Sequence, residues 1–148
     1  MNVESIIKTS KELPLERRSI IHLMLVNNKV NETIAAVLKP YGVSLQQFNV
    51  LRILRGQGDT PANLSTLNER MVTKMSNTTR LVDKLLLKGY VDRVVCEANR
   101  RKVEINITEK GKADLKKMDE VINRTEIALL QDFSKKELET LNSLLNKI

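Results

Sequence analysis

The sequence has few of the residues that build catalytic and metal centres. It holds one cysteine, one histidine and no tryptophan, with two tyrosines and two phenylalanines among 148 residues. The lone cysteine, Cys96, excludes an intramolecular disulfide framework and fits a reducing compartment. With His22 as the only histidine, no cluster has metal-ligand spacing and no Cys/His/Asp constellation can form. No paired carboxylates, glycine-rich phosphate loop or activated nucleophile can be recognised, so the residues point away from an enzyme and imply no cofactor. Long apolar runs are missing too. The longest, Ile20 to Val26, is seven residues and contains His22, against about 20 for a membrane-spanning helix. The segment MNVESIIKTSKELPLERR lacks the apolar centre of a signal peptide. A cytoplasmic protein with no membrane partner is expected.

Scarce aromatics leave the core to Leu, Ile, Val, Met and Ala, which favours helices packed through aliphatic stripes. A hydrophobic fraction of 41% and a charged fraction of 29% are those of an ordinary globular chain. Its length is that of one domain with a sizeable core. The formal charge of +7 is concentrated. Residues 1–69 carry +2 and residues 103–148 carry −1, whereas residues 70–102 hold 9 Lys/Arg against 3 Asp/Glu. Such a patch is the electrostatic footprint of a polyanionic partner.

Apolar periodicity predicts a helix from about Leu15 to Pro40, carrying Ile20, Leu23, Met24, Val30, Ile34, Val37 and Leu38 and stopped by Pro40 and Gly42. Ser44 with Gln47 forms a capping box for a helix ending near Gly56. The turn-rich GQGDTPAN follows. A short helix is expected from Ser65 as N-cap, then another from about Met75 to Lys88, closed by Gly89. Beyond it, Val94, Val95 and Cys96 lead to the cationic tip Asn99-Arg100-Arg101-Lys102, and Val103, Ile105 and Ile107 alternate as a half-buried strand. Thr108 caps a helix of about 24 residues reaching Phe133, roughly 36 Å at 1.5 Å per residue. A capping box at Ser134 and Glu137 opens a last helix on Leu138, Leu141, Leu145 and Ile148. Two short helices joined by a tight turn and followed by a basic hairpin make a winged helix-turn-helix.

The helix MSNTTRLVDKLLLKG has the character of a DNA reader. Met75, Thr78, Leu81, Val82, Leu85 and Leu86 form its buried stripe, while Ser76, Arg80, Asp83, Lys84 and Leu87 lie opposite, flanked by Asn77 and Thr79. Short hydrogen-bonding side chains near a helix N-terminus, with an arginine able to bridge guanine O6 and N7, suit the major groove. Asp83, which phosphates would repel, is expected to orient Arg80 or to accept from a cytosine amino group.

NTTRLVDKLLLKGYVDR followed by NRRKVEINITEKG resembles the MarR (multiple-antibiotic-resistance regulator) family of winged-helix transcriptional regulators, most strongly over residues 44–112. The resemblance implies a mainly α chain with a small β-hairpin wing. A winged helix-turn-helix core at about 44–107 would be flanked by dimerisation helices at about 15–40 and 109–148, all in one domain. It implies a homodimer on a pseudo-palindromic operator in double-stranded DNA, usually repressing, and often released by a small effector. Carried over by position, Ser76, Asn77, Thr79 and Arg80 read the major groove, Lys74, Lys84, Arg100 and Lys102 meet the backbone, and Arg101 enters the minor groove. Where the family wing reads Asp-x-Arg, this chain has Asn99, whose amide lacks the charge-assisted hold on Arg101. Cys96 reads as a small strand residue in preference to a redox switch, and His22 as part of a helix interface in preference to an effector pocket. A rival reading of the basic winged helix is an interaction module for an acidic protein.

Overall fold

The computed structural model describes residues 2–58, 60–73, 77–95 and 103–148. Helices dominate, as the aliphatic stripes require, with one antiparallel hairpin. A short helix that the pattern did not announce, α1 (Val3–Ile6), is capped by Asn2, whose side chain accepts from Ser5 N at 2.9 Å. It is tied to the next helix by Arg18 and Glu4 at 2.8 Å.

Helix α2 (Leu15–Leu38) ends where expected. Pro40 sits in a 3-10 turn and Gly42 takes the left-handed conformation (φ 60°) that lets the chain reverse. Helix α3 (Leu45–Gly56) opens with both hydrogen bonds of the Ser44–Gln47 capping box. It is the central helix: its Phe48, Leu51 and Leu54 are buried between α2, the helix-turn-helix and the sixth helix.

Helix α4 (Leu64–Arg70) starts one residue before Ser65, and its cap is Asn63. The Asn63 amide oxygen accepts from Thr66 N at 2.8 Å, while Ser65 is turned outward to Glu69. Extended backbone at Asn63 (φ −106°, ψ 173°) allows this geometry, and an asparagine oxygen caps as well as a serine. Helix α5 (Thr78–Leu87) begins later than the expected Met75, which lies outside the described residues. It ends in a paired Schellman motif: Gly89 N donates to Leu86 O at 2.9 Å and Tyr90 N to Leu85 O at 3.0 Å.

Strands β1 (Val91–Val95) and β2 (Val103–Ile107) pair antiparallel, with Val91 opposite Ile107 and Arg93 opposite Ile105. On the other side of β2, Ala62 and Ile105 exchange both backbone hydrogen bonds. Helix α6 (Glu109–Leu129) is capped by Thr108 and stops short of Phe133. The capping box of α7 (Lys135–Leu145) puts Ser134 in extended backbone (φ −69°, ψ 159°), so the chain must leave helical geometry first. Arg52 and Arg55 of α3 both meet Asp119 of α6, joining the two helices.

The start of α6 is packed against the end of α5. Thr108 Oγ1 donates to Gly89 O at 2.7 Å, Thr108 N to Tyr90 O at 3.0 Å, and Lys110 Nζ to Lys88 O at 2.8 Å. Gly111 is buried there, and a Cβ on it would collide with the Tyr90 carbonyl and approach Ile107 Cγ1 to 2.9 Å. Asp114, one turn along, is held below its ordinary value by Lys117 first and Tyr90 second, while burial and then Asp114 push the Tyr90 phenol up.

The two ends of the chain are packed differently from this centre. Only Ile34 and Leu38 of α2 are buried, whereas Ile20, Leu23 and Met24 are exposed. No residue of α7 is buried. Gly111→Ala overpacks the junction and should lower stability by about 1–3 kcal/mol. Urea denaturation should show a lower midpoint at unchanged slope.

Candidate nucleic-acid interface

The surface expected to meet DNA is built by α4, α5 and the hairpin, and α5 is its centre. Thr78, Val82 and Leu85 are buried against the core, with Leu81 and Leu86 half-buried. That packing fixes the rotation of the helix about its axis. Thr79, Arg80, Lys84 and Leu87 are thereby turned out to solvent. Asn77 is exposed at the N-cap position and makes no capping bond with its side chain. Thus Asn77, Thr79, Arg80 and Lys84 share one end and the outer side of α5. Ser76, Lys74, Arg100, Arg101, Lys102, Asn99 and Cys96 lie outside the described residues.

Helix α5 is docked on α4 by a polar contact as well as by apolar ones. The Thr78 hydroxyl donates to the Asn68 side-chain oxygen of α4, and Thr78 is 3% exposed. The apolar contribution comes from Leu67 and Met71, both buried. Periodicity places Thr78 on the inner stripe, but Asn68 carries no sequence signal for this role, because its partner is ten residues away on another helix.

Asp83 differs from expectation. It is paired with Arg93 in place of Arg80: its Oδ1 accepts from Arg93 Nη1 of β1 at 2.8 Å. The i−3 spacing to Arg80 permits a pair, but the antiparallel register brings Arg93 closer. Two other cations of this segment are engaged as well: Arg70 donates to Gln57 Oε1 at 3.0 Å, and Lys88 Nζ to Tyr41 O at 3.2 Å. Three cations of the basic segment therefore have partners within the fold, and Arg80 and Lys84 are the described ones exposed on the reader.

The model of the MarR family matches residues 43–103, from just before α3 to the first residue of β2. The transcriptional regulator PecS of Dickeya dadantii is 30% identical over 129 residues, covering 85% of this chain and 76% of PecS. The chain belongs to the MarR family. Wild-type MarR of E. coli in its apo form is 26% identical, with a TM-score of 0.70 over 93% of this chain and 98% of that one. The organohalide-sensing regulator RdhR, solved with 2,4-dichlorophenol, shares the fold at 21% identity and a TM-score of 0.82, over 91% of this chain and 79% of its own. This MarR-family chain is a winged-helix transcriptional regulator acting on DNA, and not an enzyme.

The docking of α5 gives a direct test. Asn68→Ala removes the acceptor facing Thr78 and should cost about 0.5–1.5 kcal/mol. In the double variant with Thr78→Ala, the loss should fall short of the sum of the two single losses, because the Thr78–Asn68 hydrogen bond is counted in both. Additive shifts in the denaturation midpoint would show that the two side chains act independently.

Proposed function

We propose that this protein is a homodimeric repressor of a pseudo-palindromic operator. The observation that carries the DNA reading is the outward presentation of Asn77, Thr79, Arg80 and Lys84 on a helix whose inner side is locked to the core. Ser76, Asn77, Thr79 and Arg80 read base edges in the major groove. Lys74, Lys84, Arg100 and Lys102 meet phosphates, and Arg101 enters the minor groove. The charge of residues 70–102, 9 Lys/Arg against 3 Asp/Glu, supports electrostatic docking.

Dimerisation is supported by the apolar surface at the chain's two ends. Ile20, Leu23 and Met24 of α2, Ile127 of α6 and Leu144 and Leu145 of α7 are all at least 40% exposed. Large aliphatic side chains in such number cluster where a partner covers them. A second copy would bury them and set two α5 helices apart by one turn of duplex. A small effector is proposed to change that spacing, in keeping with the dichlorophenol carried by the structural relative RdhR. Among the described residues no helix is long and apolar enough to cross a membrane. With a DNA partner and a single cysteine, we place the protein in the cytoplasm.

Selection of genomic fragments by the purified protein should return a pseudo-palindromic site whose affinity falls steeply with salt. Arg80→Ala should cost roughly 1–3 kcal/mol at one base position and relax preference there. Lys84→Ala should weaken all sequences alike and lower the salt slope by about one. Capture of an acidic protein with no genomic footprint would sink this reading. Leu141→Glu, at a side chain exposed in the single chain, should yield monomers in sedimentation and abolish operator binding without disturbing the core. A variant that stays dimeric would remove α7 from the interface.

A further inference from the structure

The pairing of Asp83 with Arg93 leads beyond the proposed DNA reading, on which this inference rests. Residues directly opposite in an antiparallel pair point to the same face. Arg93 faces Ile105, and Val91 faces Ile107; Val91, Ile105 and Ile107 are all buried. Arg93 therefore extends from the inner face of the hairpin, toward the core and α5, where charge alone would have put it outside with the DNA-facing cations. There it meets Asp83 at 2.8 Å.

The rest of β1 shows why such a contact matters. After Val91 every residue of the strand is exposed, with Val94 at 54% and Val95 at 50%. Burial therefore anchors only the first residue of β1. Arg93 provides the next hold, two residue pairs further along the ladder from Val91. Asp83 in turn sits on α5 one turn from Arg80 and beside Lys84. An unpaired carboxylate there would repel phosphates, and Arg93 neutralises it. Both side chains are 40–49% exposed, and pairs of that exposure contribute little to folding. The contact serves geometry more than stability.

We infer that Asp83 and Arg93 are positioning residues that fix the wing to the reading helix, so that major-groove reading and wing contact operate as one rigid unit. Arg93 is then unavailable as a phosphate ligand, although it lies in the most basic part of the chain. Asp83 is not a base reader.

A double-mutant cycle on the full chain tests this, using Asp83→Asn, Arg93→Gln and the two combined. The readout is the preference for the selected operator over a scrambled duplex, which cancels the general effect of removing a charge near DNA. Each single variant should lose roughly 3- to 30-fold in preference, and the double variant no more than the worse single one. The salt slope of Arg93→Gln should match wild type, and all three should denature at nearly the wild-type urea concentration. Unchanged preference in the single variants, or losses that multiply in the double, would overturn the inference. So would a slope lowered by about one in Arg93→Gln, which would make Arg93 a phosphate contact. A denaturation midpoint that falls in step with preference would assign the pair a structural role instead. If wild type itself shows no operator preference, the DNA reading fails and the inference falls with it. A selective wild type with an additive cycle sinks the inference alone.

Discussion

Four segments of this chain meet at one close approach, that of the Gly111 backbone to the Tyr90 carbonyl. The end of α5, the start of β1, the end of β2 and the start of α6 all pass within hydrogen-bonding reach there. Side-chain volume at Gly111 would push α6 away from Tyr90. The Thr108 bonds to Gly89 and Tyr90 and the Lys110 bond to Lys88 would then be stretched or lost. These bonds satisfy the carbonyls of Lys88, Gly89 and Tyr90, the three residues that follow α5. The orientation of the reading helix relative to the long helix α6 is thus settled by a few main-chain groups.

Seen from this junction, α5 is held at three points along its length. Asn68 takes Thr78 at its start, Arg93 takes Asp83 in its middle, and the Thr108–Gly111 segment takes its end. Lys88 extends the last of these to Tyr41, at the end of α2. A displacement of α2 or α6 relative to the centre therefore reaches the reading helix through hydrogen bonds of 2.7–3.2 Å, without passing through the loops. In the proposed homodimer, this is a physical route from α2 and α6 to the spacing of the two readers.

The chain's charge has two uses that a count does not separate. Arg70, Lys88 and Arg93 lie in the most basic stretch, yet each is engaged by a partner inside the fold. Arg80 and Lys84 are exposed on the outer side of α5. Long cationic side chains can serve either purpose because their stems reach several ångströms before the charge begins. Which purpose applies depends on the element opposite, and that is a tertiary fact.

Much of the local structure was legible in the sequence, because its causes lie within four residues. The capping boxes at Ser44–Gln47 and Ser134–Glu137, the Thr108 cap, the Gly89 stop and the inner stripe of α5 from Thr78 to Leu86 stand as their patterns predict. Choices between near-equivalent neighbours were not legible: Asn63 caps α4 in place of Ser65, and α6 stops at Leu129 instead of continuing to Phe133. The sequence by itself determined the helices from α2 onward, the paired strands and the outward face of α5 at Thr79, Arg80 and Lys84, since periodicity and capping are short-range. Only the tertiary structure decided that Asp83 pairs with Arg93 and not Arg80. It also decided that Asn68 receives Thr78 and that the stripes of α2 and α7 stay open within one chain. Each of these depends on which element packs opposite, and short-range pattern carries no record of that.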